Sequence, residues 1–202
     1  MKKYLSEYCL KTITTLQSLE LEKIMDAVLL LCDLKKNNGR LFILGVGGSA
    51  ANASHAVNDF RKIANIEAYA ATDNVSELTA RTNDNGWQNV FSDWLACSRL
   101  TTNDLVMIFS VGAGSVTQNL SVNLIKALDY ANNCQAKSIT IAGRQQGYCM
   151  QHSTCSIHLS VSDNDFLTPI SEAMQAVVWH AIVSHPALKQ SEMTWENIKN
   201  DQ

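Results

Sequence analysis

A chain of 202 residues with 46% hydrophobic and 17% charged side chains suits one globular domain and is short for two. Lys and Arg number 16 against 19 Asp and Glu, for a formal charge of -3; with no basic block, that balance argues against a dedicated nucleic-acid binder. Its 2 prolines and 9 glycines argue against a disordered or collagen-like chain, and the longest apolar run, Ala27 to Cys32 between Asp26 and Asp33, is far below the roughly 18 residues of a membrane span.

Lys2 and Lys3 are followed by no apolar h-region, so the reading is a cytoplasmic protein without a signal peptide. The 6 cysteines form no CxxC pair and are read as small buried hydrophobes. Leu5, Cys9, Ile13 and Leu16 form a helical stripe over 2–17. A second helix follows Ser18 and runs to about Lys36, with Leu21, Ile24, Met25, Val28, Leu31 and Cys32 on one face. Asn37-Asn38-Gly39 stops it. The pair reads as a packing or dimerisation extension (1–38) ahead of a core spanning 39–185, with a polar tail over 186–202 that frays after Pro186.

From Leu41 the pattern changes. Leu41-Phe42-Ile43-Leu44 is a short continuous apolar run, repeated at Leu105–Phe109 and Ser138–Ala142 and more weakly at Glu67–Ala71 and Cys155–Leu159. Such runs suit strands buried on both faces. Helical segments separate them, at about Ala50–Ile63, Val75–Thr82, Asn89–Leu100, Ser115–Asn132 and Thr168–Val183. Alternating strands and helices give βαβ units and a parallel sheet covered on both faces.

Two strands end in similar loops, Gly45-Val46-Gly47-Gly48-Ser49 and Ser110-Val111-Gly112-Ala113-Gly114-Ser115. Glycines there let backbone N–H groups approach a ligand closely, and the following helix N-terminus favours an anion. One such loop alone reads better as a serine N-cap after a glycine turn. Two on one sheet favour a sugar phosphate. Neither has the Lys-Ser/Thr ending of a P-loop or the GxGxxG spacing of a dinucleotide site.

These loops, with His55-Ala56-Val57-Asn58-Asp59 and Thr82-Asn83-Asp84 between them, resemble the sugar isomerase (SIS) domain, and most closely its phosphoheptose isomerases. The resemblance covers nearly the whole chain, including the leading helices. It implies a three-layer αβα sandwich with a five-stranded parallel sheet, preceded by two N-terminal helices, and a homotetramer with active sites at subunit interfaces. It also implies the interconversion of sedoheptulose 7-phosphate and D-glycero-D-manno-heptose 7-phosphate for surface polysaccharide, and one zinc ion per subunit. The metal ligands it implies are His55, Asp59, Glu172 and His180. His55 and Asp59 stand four apart, on one face of a helix; Glu172 and His180 stand eight apart, a spacing that by itself would identify nothing. Asp59 and His180 are the residues implied for proton transfer.

Gly47, Gly48, Ser49, Asn83, Asp84, Ser110, Val111, Gly112, Ser115 and Glu172 are the implied substrate contacts. The chain departs from the family in carrying Asp59 for glutamate and Glu172 for glutamine, and in lacking the inner hydroxyls of the usual Ser-Thr-Ser-Gly-Asn-Ser loop. Both acids keep oxygen donors for zinc. The alternative reading is a non-catalytic SIS module that binds a partner, similar to the DnaA-initiator-associating protein. Among the tryptophans, Trp94 and Trp179 read as core, Trp87 as bordering the site, and Trp195 is left without a role, as are His152, His158 and His185.

Overall fold

The computed structural model describes residues 2–191; Trp195 and the end of the polar tail lie outside the described residues. Two helices, α1 (Lys2–Gln17) and α2 (Leu21–Lys36), precede β1 (Leu41–Leu44), α3 (Gly48–Lys62), β2 (Ala68–Ala70) and α4 (Val75–Asn85). After a 3-10 turn at Trp87–Asn89 come α5 (Val90–Cys97), β3 (Leu105–Ser110), α6 (Val122–Asn133), β4 (Lys137–Ala142), α7 (Tyr148–His152), β5 (Cys155–His158) and α8 (Asn164–Val183). The five strands form one sheet in the order β2-β1-β3-β4-β5, every pair parallel. All four residues of β1 and all six of β3 are buried, as expected of strands covered on both faces.

Alternate residues of each strand feed two half-cores. Leu41, Ile43, Leu105 and Met107 pack with α2, α3 and α8, including Val28, Phe60 and Trp179. Phe42, Leu44, Val106 and Ile108 pack on the other face with α5 and α6, including Phe91, Leu95 and Leu128. The chain is therefore an αβα sandwich, with its reversal of strand order between β1 and β3. In such sheets ligands collect in the crevice at that reversal, beyond the carboxyl ends of the strands, and the loops after β1 and β3 both stand there.

Five expectations are corrected. First, the helix after β3 begins at Val122, not Ser115. Positive φ angles at Ala113, Gly114, Asn119 and Ser121 keep this stretch out of the right-handed helical region. Ser115 and Leu120 instead exchange two backbone hydrogen bonds of 3.0 Å. Second, α8 starts at Asn164, ahead of Thr168, because the Asp163 carboxylate caps it by accepting from the Asp165 N–H at 3.0 Å. Pro169 sits inside this helix and leaves only the Asp165 carbonyl without its helical donor.

Third, α7 was not anticipated; at five residues it is too short to show a periodic stripe. The stripe on α1, read as a packing or dimerisation face, turns outward. Leu5, Ile13 and Leu16 are 62%, 51% and 47% exposed, whereas the face with Tyr8 and the buried Thr15 packs inward, Tyr8 edge-on to Phe166 of α8. Fourth, the chain past Pro186 packs rather than frays as far as residue 191: Leu188 is fully buried and the Gln190 N–H donates to the Ile63 carbonyl. Fifth, all 6 cysteines are free thiols, but only Cys149 and Cys155 are buried; Cys9 and Cys97 are exposed, so the reading of all six as buried hydrophobes does not hold. Among the described residues no helix is long and apolar enough to cross a membrane.

Candidate active site

The helices α3 and α8 lie side by side on one face of the sheet, coupled by a polar clamp. The Asn52 side-chain amide donates to the Glu172 carbonyl at 2.9 Å and to Gln175 Oε1 at 3.1 Å. One turn beyond Asn52, His55 and Asp59 emerge from α3 towards α8, and His180 comes from α8 to meet them. One donor atom from each of the three lies within 4.8 Å of the others. Asp59 is the centre of the group: its Oδ2 is 3.9 Å from His55 Nε2 and 3.7 Å from His180 Nε2.

The chemistry of this donor set fits a metal ion. Asp59 is buried. Its Oδ1 accepts from the neighbouring Asn58 amide at 2.9 Å, but its Oδ2 has no hydrogen-bond partner among the described residues. A buried carboxylate oxygen left in that state is costly unless a cation or proton fills the space in front of it. His180 Nδ1 is 2.8 Å from the Ala176 carbonyl. A carbonyl only accepts, so Nδ1 carries a proton and donates to it, and Nε2 is the ring atom turned towards Asp59. This is how metal-binding histidines are commonly oriented. The fully buried Trp179 ring touches both imidazoles, edge-on to His55 at 4.8 Å between centroids and stacked on His180 at 3.5 Å.

Glu172 stands elsewhere. Its carboxylate lies against Gly48, the first residue of α3, so closely that a methyl group there would overlap both oxygens. Three of the four anticipated ligands are thus together, and the fourth faces the first glycine loop. In that loop Gly47 adopts φ 62° at the α3 N-cap, a conformation that favours glycine. Gly45 passes so close to the Ser49 backbone that no side chain fits. Asn83 and Asp84 end α4, exposed and joined to each other at 2.9 Å. Trp87 begins the next turn, 42% exposed and tilted against Phe91, while Trp94 is half-buried with its ring edge-on to Phe42.

In the second loop Ser110 is buried and its hydroxyl accepts from the Ala113 N–H at 2.9 Å. The Ser115 hydroxyl accepts from the Gln118 N–H at 3.3 Å, as part of the 115–121 excursion rather than a helix start. A cavity of about 510 Å³ opens beside this loop, bordered by Gly112, Ser115, Ser121 and Arg144. Sequence reasoning had not singled out Arg144, Asn52 or Gln175. Nothing in their local pattern marks them; their roles come from contacts between distant segments.

A doubly wound sheet with two glycine-rich loops at its switch point, and a donor cluster between two helices beside it, is the build of an α/β enzyme for a small anionic molecule. The chain belongs to the SIS domain family, whose signature matches residues 4–143, and to its phosphoheptose isomerase branch. A protein named phosphoheptose isomerase from Aliarcobacter butzleri is 30% identical over 177 residues, 85% of this chain and 86% of its own. The structure of phosphoheptose isomerase GmhA from Neisseria gonorrhoeae superposes with a TM-score of 0.78 at 24% identity, over 90% of this chain and 97% of that one. A phosphoheptose isomerase from Francisella tularensis gives 0.74 at 22% identity, over 90% and 93%. These two likenesses speak for the fold.

Proposed function

We propose that the protein is an aldose–ketose isomerase that converts sedoheptulose 7-phosphate to D-glycero-D-manno-heptose 7-phosphate in the cytoplasm, with zinc held by His55, Asp59 and His180. The observation that carries this reading is the Asp59 carboxylate, buried between two histidine Nε2 atoms with its Oδ2 unpartnered. Three protein donors are the protein's share of a catalytic zinc site, whose fourth position belongs to water or substrate. Zinc there supplies Lewis acidity to the substrate carbonyl oxygen.

The reaction moves a proton from C1 of the ketose to C2, while a hydroxyl proton passes from O1 to O2. Asp59 and His180 take and return the carbon-bound proton, each while its Oδ2 or Nε2 is not bound to the metal. The Ala176 carbonyl keeps the His180 tautomer correct for that task. Trp179 covers both rings on the core side and excludes water there. Gly47, Gly48 and Ser49, with Asn83, Asp84, Ser110, Val111, Gly112 and Ser115, hold the sugar phosphate. Glu172, beside Gly48, accepts from a sugar hydroxyl. The outward apolar stripe of α1 supports assembly with further copies of the chain, as a homotetramer.

A binding module that had given up catalysis would have no reason to keep a buried carboxylate between two imidazoles. The test is turnover of sedoheptulose 7-phosphate by metal-depleted protein, with and without added zinc. Zinc-dependent aldose formation, lost in His180→Ala and Asp59→Asn, is the expected result. A folded protein that neither binds zinc nor turns over would overturn the enzyme reading.

A further inference from the structure

We propose that Arg144 holds the phosphate end of the substrate, in the cavity between the second glycine loop and the β4–α7 turn. The inference rests on the isomerase reading above and adds to it a residue that fixes specificity for a phosphorylated sugar.

The first loop is a poor seat for a phosphate. The positive end of α3 already faces the Glu172 carboxylate packed on Gly48, so a dianion there would meet a like charge at short range. The second loop offers only its two end serines, whose O–H groups are neutral donors. Ser110 and Ser115 accept from backbone N–H groups of their own loop, and the loop carries no charge of its own. A phosphate monoester still needs a positive partner, and the cavity beside that loop contains one.

The cavity, about 510 Å³, has Arg144 as its one cation and no carboxylate among its lining residues. Gly112, Gly114, Ser115 and Ser121 share its lining with the arginine. The turn that carries Arg144 is pinned to the loop on both sides. Before it, the Gly143 N–H donates to the Val111 carbonyl at 3.1 Å. After it, the Tyr148 and Cys149 N–H groups donate to Gly114 and Ala113 at 2.9 and 2.8 Å. Gly147 lies so tight on Gly112 and Ala113 that a side chain there would overlap both. The base of Arg144 is therefore fixed relative to the loop. Its guanidinium donates to the neutral Asn164 amide oxygen at 3.2 Å and has no carboxylate partner among the described residues. A guanidinium can pair with two phosphate oxygens at once, which an ammonium cannot.

The experiment compares wild type, Arg144→Gln and Arg144→Lys, each as the full chain with its fold checked by thermal melt. Binding of inorganic phosphate to the metal-depleted protein is followed by phosphorus NMR or calorimetry, and KM and kcat for sedoheptulose 7-phosphate are measured with zinc present. Arg144→Gln is expected to lose phosphate binding and to raise KM about 10- to 100-fold, with kcat nearly unchanged; Arg144→Lys recovers part of both. Equal phosphate binding by wild type and Arg144→Gln overturns the proposal, as does wild type that binds no phosphate at tens of millimolar. A loss of phosphate binding in Arg144→Gln alongside a wild type that never turns over the sugar leaves the subsite standing and sinks the isomerase reading instead. Glu172→Gln adds a further check: if phosphate binds much more tightly in that variant, and Arg144→Gln does not affect it, the first loop is the seat and the proposal fails.

Discussion

Asp59 reaches both histidines although it is one methylene shorter than the glutamate usual in the family. The reason lies in its neighbours: Ala53 and Ala56, both buried on α3, keep that helix close to its surroundings, and the Asn52 clamp draws α8 in. Asp59→Asn removes the only charge from the donor set. Zinc affinity is expected to fall by more than about 100-fold, since a direct ligand counts for more than the outer-shell partners worth 10- to 100-fold; equilibrium dialysis against a zinc indicator reads this. Asp104 gives a second residue-scale expectation, away from the site. Burial pushes its carboxyl up, but the Arg40 guanidinium and the Thr101 N–H and hydroxyl outweigh that and hold it below the usual carboxylate range. A depressed folded pKa stabilises the fold above the unfolded value of about 4, and that contribution is lost as pH falls through the folded pKa. Asp104→Asn is therefore expected to cost about 2 kcal/mol near neutrality, and the gap from wild type should close below pH 4 in urea melts.

At the scale of elements, the stripe of α1 was legible in the sequence but its direction was not. Helical periodicity tells which residues share a face; it does not tell whether that face meets the chain's own core or another copy. Leu5, Cys9, Ile13 and Leu16 point outward, and Tyr8 and Thr15 do the packing. Cys9 makes this testable. It and Cys97 are both exposed in the single chain, whereas burial pushes the Cys149 thiol up to about 12 and Cys155 to about 11, so those two stay unreactive at neutral pH. If the stripe is a self-association face, Cys97 labels quickly and Cys9 slowly, and Ile13→Glu both exposes Cys9 and lowers the mass measured by light scattering. Equal labelling of Cys9 and Cys97 in the wild type would place the interface elsewhere. The excursion at 115–121 was misread for a different reason. Ser115 after two glycines looks like a helix cap, and only the left-handed backbone at Asn119 and Ser121 moves the start to Val122. Asn adopts that conformation at modest cost, and a one-letter sequence does not say when it does.

At the scale of the whole molecule, the sheet could be read directly, because strands buried on both faces leave continuous apolar runs. The active site could not be read that way. His55 and Asp59 share a helix face, but His180 joins them only because α3 and α8 pack together on the same side of the sheet, and no spacing within either helix encodes that. Resemblance supplied the pairing, and it also put Glu172 in the metal set, where the packing against Gly48 draws it towards the loop. The union of the two helices has two fasteners along its length, the Asn52 clamp and the His55–Asp59–His180 cluster. Asn52→Ala removes two hydrogen bonds and leaves the Gln175 side chain, fully buried with its Nε2 already unpartnered, without a hydrogen-bond partner among the described residues. A loss of about 2 kcal/mol follows, or a fall in Tm of roughly 4–8 °C for a domain of this size. Zinc fastens the same two helices at the other end and, at 100 times its Kd, should add about 2.7 kcal/mol to any variant that binds it. Melts with and without zinc should therefore show Asn52→Ala destabilised but still rescued by the metal, and Asp59→Asn not rescued at all. If Asn52→Ala also lost the zinc shift, the clamp would be setting the geometry of the cluster as well as holding the helices together.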